Sequence, residues 1–62
     1  MTRFYSVQKC DTRGGWVSVG VFSKKEKPCN DYAKEYARNT HFSTRTIRMP
    51  HGFQPSDEDK IL

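Results

Sequence analysis

Residues 16–22, Trp-Val-Ser-Val-Gly-Val-Phe, alternate without a break. Val17, Val19 and Val21 fall on one side of an extended chain, and Trp16, Ser18, Gly20 and Phe22 fall on the other. Successive side chains of a strand point to opposite faces of its sheet, so the pattern specifies a half-buried strand with its valines inward. That assignment says which side of the protein is core. It leaves a second side, bearing aromatics and hydroxyls, as the lead to function.

Residues 3–10 show the same habit, with Tyr5 and Val7 on one face and Phe4, Ser6 and Gln8 on the other. Between the two runs, residues 11–15 (Asp-Thr-Arg-Gly-Gly) form a turn in which Gly14 and Gly15 are expected to supply positive φ angles. The two strands therefore pair as an antiparallel hairpin. Ser23 and Glu26 have the spacing of a capping box. Pro28 opposes a helix running through it but suits a first helical position, so the predicted helix starts at Pro28 and ends near Asn39. Cys29, Ala33, Tyr36 and Ala37 recur at helical spacing, flanked by Tyr32 and Thr40, while Lys34, Glu35 and Arg38 face water. A third strand is predicted over 42–49, with Ile47 as its core residue and Pro50 as its stop.

This order predicts an α+β fold: a three-stranded antiparallel sheet, order strand-strand-helix-strand, with the first strand central and one helix packed on one face. The helix is expected to cover Tyr5, Val7, Val17, Val19, Val21 and Ile47. Residues 1–50 then make a single ββαβ domain and 51–62 a C-terminal tail, in which Ser56 and Asp59 are placed to cap a short helical turn. Two arrangements are open for the second face. Either Phe53, Ile61 and Leu62 fold back over Trp16 and Phe4, or the face stays exposed.

Sixty-two residues make at most one thin core, since so short a chain buries only about 60% of its unfolded surface. No apolar run approaches the ~20 residues that span a bilayer. Met1-Thr2-Arg3 lead directly into a strand pattern, so no secretory leader is read and the expected location is the cytoplasm. Two cysteines do not make a disulfide scaffold, although Cys10 and Cys29 would pair if the fold brought them together. Cys10, Cys29, His41 and His51 lack the close-paired spacing of structural zinc sites, so no metal is expected. No glycine-rich phosphate loop precedes a helix, and no nucleophile stands in a recognised arrangement with a base. The chain is accordingly read as a non-enzyme without cofactor.

Charge is unevenly spread. Residues 1–54 set ten Lys/Arg against Asp11, Glu26, Asp31 and Glu35, a balance of +6, while 55–62 carry −2. A basic body favours acidic partners, either nucleic acid or an acidic protein surface. Lys24, Lys25 and Lys27 form a local cluster suited to phosphate or acidic-surface contacts; the plainer reading is a solvated loop. The second face is expected to present Phe4, Ser6, Gln8, Trp16, Ser18, Phe22, Thr44, Thr46 and Arg48, the composition of a recognition surface.

The aromatic-led first strand, the valine-rich second strand, Ala33-Lys-Glu-Tyr36, and the run from Phe42 through Arg45 and Arg48 to Pro50 resemble the small bacteriophage inhibitors of bacterial host RNA polymerase, over residues 4–50. In that family alternating arginines on the last strand and a negatively charged strip make the polymerase contact; no such acidic strip is present in this sequence. Arg48 matches one of them, Thr46 stands at the place of the other, and Arg45 lies on the opposite face. The resemblance implies a small phage-encoded protein that binds and inhibits a bacterial host complex, RNA polymerase first, through its sheet face or a strand edge. The partner-binding positions are then Arg48, Trp16, Phe4, Thr46 and Arg45. The alternative is a small basic nucleic-acid-binding protein. No membrane association is expected, and the chain is read as a monomer.

Overall fold

A computed structural model describes residues 3–62, so the reading of Met1 and Thr2 lies outside the described residues. The hairpin forms as its sequence dictates. Strand β1 (Tyr5–Cys10) and strand β2 (Trp16–Ser23) pair antiparallel around a turn organised by Asp11. One Asp11 carboxylate oxygen accepts from the backbone N–H groups of Arg13 and Gly15, each at 2.9 Å. Gly14 adopts φ 85°, whereas Gly15 does not need a positive φ, so only one of the two glycines has the role expected of both.

Within the hairpin the register slips. Ser6 faces Phe22 but Gln8 faces Ser18, so residues 19–21 together oppose Val7. Gly20 sits at the centre of this bulge with φ 77°, a conformation open to glycine and costly for other residues. Beyond the bulge Val21 is buried in one cluster with Val7, and Val19, partly buried, packs against that cluster. Helix α1 (Glu26–Thr40) packs on that face, and Val7, Val21, Cys29 and Ala33 form the buried core with Tyr5, Val19 and Tyr32 against it. Val17 is 37% exposed, at the end of the valine row opposite Lys9, rather than buried as expected.

The helix begins two residues before Pro28. Ser23 Oγ accepts from Lys25 N–H at 3.1 Å, which turns the chain into the helix. Pro28 is then the third helical residue, where an N–H has no partner to lose. At the other end His41 takes φ 62° and its N–H reaches the Ala37 carbonyl at 2.8 Å, closing the helix in a left-handed cap.

Strand β3 (Thr44–Arg48) pairs antiparallel with β1, which is therefore central as expected. Its faces are the reverse of those predicted. Thr44 lies opposite Lys9, Thr46 opposite Val7 and Arg48 opposite Tyr5, which places all three on the helix side. Arg45 and Ile47, opposite Gln8 and Ser6, belong to the second face. Thr44 Oγ1 donates to the Ala33 carbonyl at 2.9 Å, tying β3 to the helix in this register. Ile47 instead joins Ser6 and Phe22 in one cross-strand row on the second face, where Ser6 is 1% and Phe22 4% exposed.

What covers that row is Phe53 of the C-terminal segment, while Ile61 and Leu62, expected to fold back with it, stay 50% and 41% exposed. The Phe53 ring lies 5.0 Å from that of Phe22 and 6.3 Å, edge to face, from that of Phe4. Residues 56–59 form a turn in which the Asp59 carboxylate accepts from Ser56 N–H at 2.9 Å, where a helical turn was expected. Strand β4 (Lys60–Ile61) then runs parallel to β2, and Leu62 N–H reaches the Phe22 carbonyl at 2.8 Å. The fold is α+β with one helix. Its sheet has four strands in the order β3-β1-β2-β4 and is mixed, which corrects the three-stranded antiparallel expectation. A two-residue strand has no alternation to read. Among the described residues no helix is long and apolar enough to cross a membrane.

Candidate functional site

The C-terminal segment divides the second face in two. Its half near the start of β1 is closed by Phe4, Phe22 and Phe53. Its other half, beside the hairpin turn, carries Gln8, Cys10, Trp16, Ser18 and Arg45. Here Trp16 is 39% exposed and Arg45 and Ser18 are exposed.

These side chains are assembled from three strands. Trp16 opens β2, Gln8 lies on central β1, and Arg45 lies on outer β3. Arg45 reaches across β1 so that its guanidinium carbon stands 4.3 Å from the centroid of the Trp16 ring. On the way its Nε donates to Gln8 Oε1 at 2.8 Å. The indole holds the plane of the guanidinium by cation–π attraction and Gln8 holds its Nε edge. An exposed cation–π pair contributes about 0.5–1 kcal/mol, so the contact orients the arginine more than it stabilises the fold. The two Nη groups have no hydrogen-bond partner among the described residues, which leaves the rigid donor fork free for a carboxylate or phosphate acceptor.

The other residues expected at the site lie elsewhere. Thr46 is packed between sheet and helix with its Oγ1 buried and without a hydrogen-bond partner. Arg48 is exposed, on the helix side and at the far end of the sheet from Trp16. Phe4 is half-buried against Phe53, so it is part of the closed half. Lys24, Lys25 and Lys27 are exposed where β2 passes into α1. The Gln8–Arg45 bridge escapes sequence reasoning because it depends on the β1–β3 register, which residue patterns on β3 leave open.

The thiols are far apart in character. Cys29 is 0% exposed on the buried face of α1, its Sγ 3.5 Å from the Tyr5 carbonyl, and burial pushes its thiol pKa up while a backbone hydrogen bond from Ser23 pulls the other way. Cys10 is half-buried and pairs across the strands with Trp16 on the second face. Both are free, on opposite faces of the sheet. No group of three or more His, Cys, Asp or Glu among the described residues is arranged to hold a metal ion. No family model, curated protein or solved structure matches this chain.

Proposed function

We propose that this chain is a small non-enzymatic binding protein that docks on an acidic surface of a bacterial protein complex through the exposed half of its second face. The observation that carries the reading is the Arg45 guanidinium held over Trp16 by Gln8, with its donor fork free. Tryptophan and arginine dominate binding energetics because each brings a large, rigid contact area, and an arginine fixed in advance loses little entropy on docking. The resemblance of residues 4–50 to phage inhibitors directs the choice of partner, and bacterial RNA polymerase is the first to test. Arg45 takes the role that the resemblance gave to Arg48, because Arg45 is the arginine of β3 on the Trp16 face.

The test is capture of purified bacterial RNA polymerase, and of partners from nuclease-treated bacterial lysate, by wild-type protein and by Trp16→Ala and Arg45→Ala. Each substitution should weaken capture by roughly 1–4 kcal/mol, as hot-spot truncations do. Melting temperature should fall by about 4–8 °C, the loss of a cation–π pair of about 0.5–1 kcal/mol in a chain this size, so capture is compared well below the transition of each variant. Partners that vanish on nuclease treatment would point to the nucleic-acid reading. Capture unchanged in both variants would remove this face as the site.

A further inference from the structure

The chain has eleven Lys/Arg side chains, and the structure sorts them by what holds each one. Lys9, Arg45 and Lys60 lie over the rings of Phe42, Trp16 and Tyr32. Arg38 pairs with Glu35 at 2.8 Å, and Arg3 Nε donates to His51 Nε2 at 3.0 Å. Among the described residues, Arg13, Lys24, Lys25, Lys27, Lys34 and Arg48 have no such partner.

Four of these six gather at one end of the molecule. Tyr5 pairs with Arg48 on one side and with Ser23 on the other, so the three form a single cross-strand row. At about 4.8 Å between strands, Arg48 stands roughly 10 Å from Ser23. Lys24 and Lys25 follow Ser23 directly, and Lys27 is in the first turn of α1. The contact of Cys29 Sγ with the Tyr5 carbonyl brings that turn down onto the same row. All four cations are exposed, and Glu26 is the single acid interleaved with them. Asp59 is held away by its bond to Ser56, beside Gly20.

We infer that this end of the sheet binds the phosphate backbone of nucleic acid without reading its sequence, as a second surface separate from the Trp16–Arg45 face. Tyr5, the aromatic residue in that row, packs against the core, and Lys24, Lys25, Lys27 and Arg48 are held neither over a ring nor in an ion pair. A protein hot spot needs a packed anchor, whereas backbone phosphate contacts need only mobile cations that release counterions. The β3 register is what adds Arg48 to the lysines. On the opposite facing it would stand on the other side of the sheet.

The experiment is fluorescence anisotropy with a labelled random-sequence duplex over a salt series, on the full chain. Four phosphate contacts at about −0.9 each give a slope of log K against log salt near −3.6, so affinity falls roughly 150-fold between about 50 and 200 mM salt. The triple variant Lys24→Gln, Lys25→Gln, Arg48→Gln should have a slope near −0.9, and each single variant should lose about 0.9. The single variants keep the test intact if the triple one fails to fold. Lys34→Gln, outside the cluster, should leave the slope unchanged. A triple variant that keeps the wild-type slope overturns the inference, as does absence of binding at about 50 mM salt. Loss of binding in Trp16→Ala, with the triple variant unaffected, would also overturn it and assign nucleic acid to the other face. Capture of protein partners after nuclease treatment is independent of every one of these outcomes.

Discussion

Thr44 and Thr46 stand two apart on β3, on the same face, and should answer the same substitution with opposite signs. Thr46 Oγ1 is buried without a hydrogen-bond partner, opposite Val7, while Thr44 Oγ1 donates to the Ala33 carbonyl at 2.9 Å. Valine keeps the branch and nearly the volume of threonine and removes only the hydroxyl. An unpaired buried hydroxyl costs about 1–3 kcal/mol by mutational measures, and Thr46 is only half-buried as a residue, so Thr46→Val should stabilise by about 1 kcal/mol. Thr44→Val gives up one net hydrogen bond and should destabilise by about 1 kcal/mol. At about 2.1 cal/mol/K of unfolding entropy per residue, 1 kcal/mol moves Tm by about 8 °C in a chain this size, so the two variants should melt about 15 °C apart. Thermal unfolding followed by circular dichroism, repeated as urea titrations, reads the difference directly. Were Ile47 the helix-facing residue, both threonines would lie on the second face and neither substitution would matter much. Near-zero effects for both, or a destabilising Thr46→Val, would refute the facing of β3 described here.

Phe53→Ala should destabilise by about 2 kcal/mol, below the roughly 3–5 kcal/mol of a fully buried phenylalanine, because its half-buried ring closes over Phe22 and Phe4; an unchanged urea midpoint would mean that this segment does not cover the face. Alkylation of the native protein followed by mass spectrometry should find Cys10 modified early and Cys29 only after unfolding, since Cys29 is buried on the sheet-facing side of α1; equal rates would contradict that packing. The raised pKa of Cys29 also has a sign in stability. Its neutral form is favoured in the fold, so its contribution is complete below the unfolded thiol pKa of about 8.5 and is lost as pH rises towards the folded value. Stability should therefore decline in the alkaline range, and Cys29→Ala, although less stable throughout, should show a shallower decline there.

The parts of this fold that are legible in the sequence are those whose signals are local. Alternation at 16–22, Asp11 with Gly14, and the Cys29–Ala33 stripe each act within a few residues, and the hairpin and helix follow from them. The helix start is misplaced by two residues because proline is as acceptable at the third helical position as at the first. The bulge has a visible mark in Gly20, a glycine inside a strand, although its effect of setting residues 19–21 together opposite Val7 is tertiary. The facing of β3 has no such mark. It rests on one apolar residue, and assigning Ile47 to the helix side presumes that the molecule has only one apolar face. Here the C-terminal segment supplies Phe53 and gives the second face a small core of its own, so Ile47 has two places to be buried, and the Thr44 bond to the Ala33 carbonyl favours the one observed. Because strand side chains alternate, that one choice relocates all five residues of β3 together. It takes Arg45 to Trp16 and Arg48 to the lysines, and so creates both candidate surfaces at once. The melting temperatures of two threonine variants therefore bear on function as well as fold: if the register were wrong, the recognition site would lose its arginine and the phosphate surface its fourth cation in the same step.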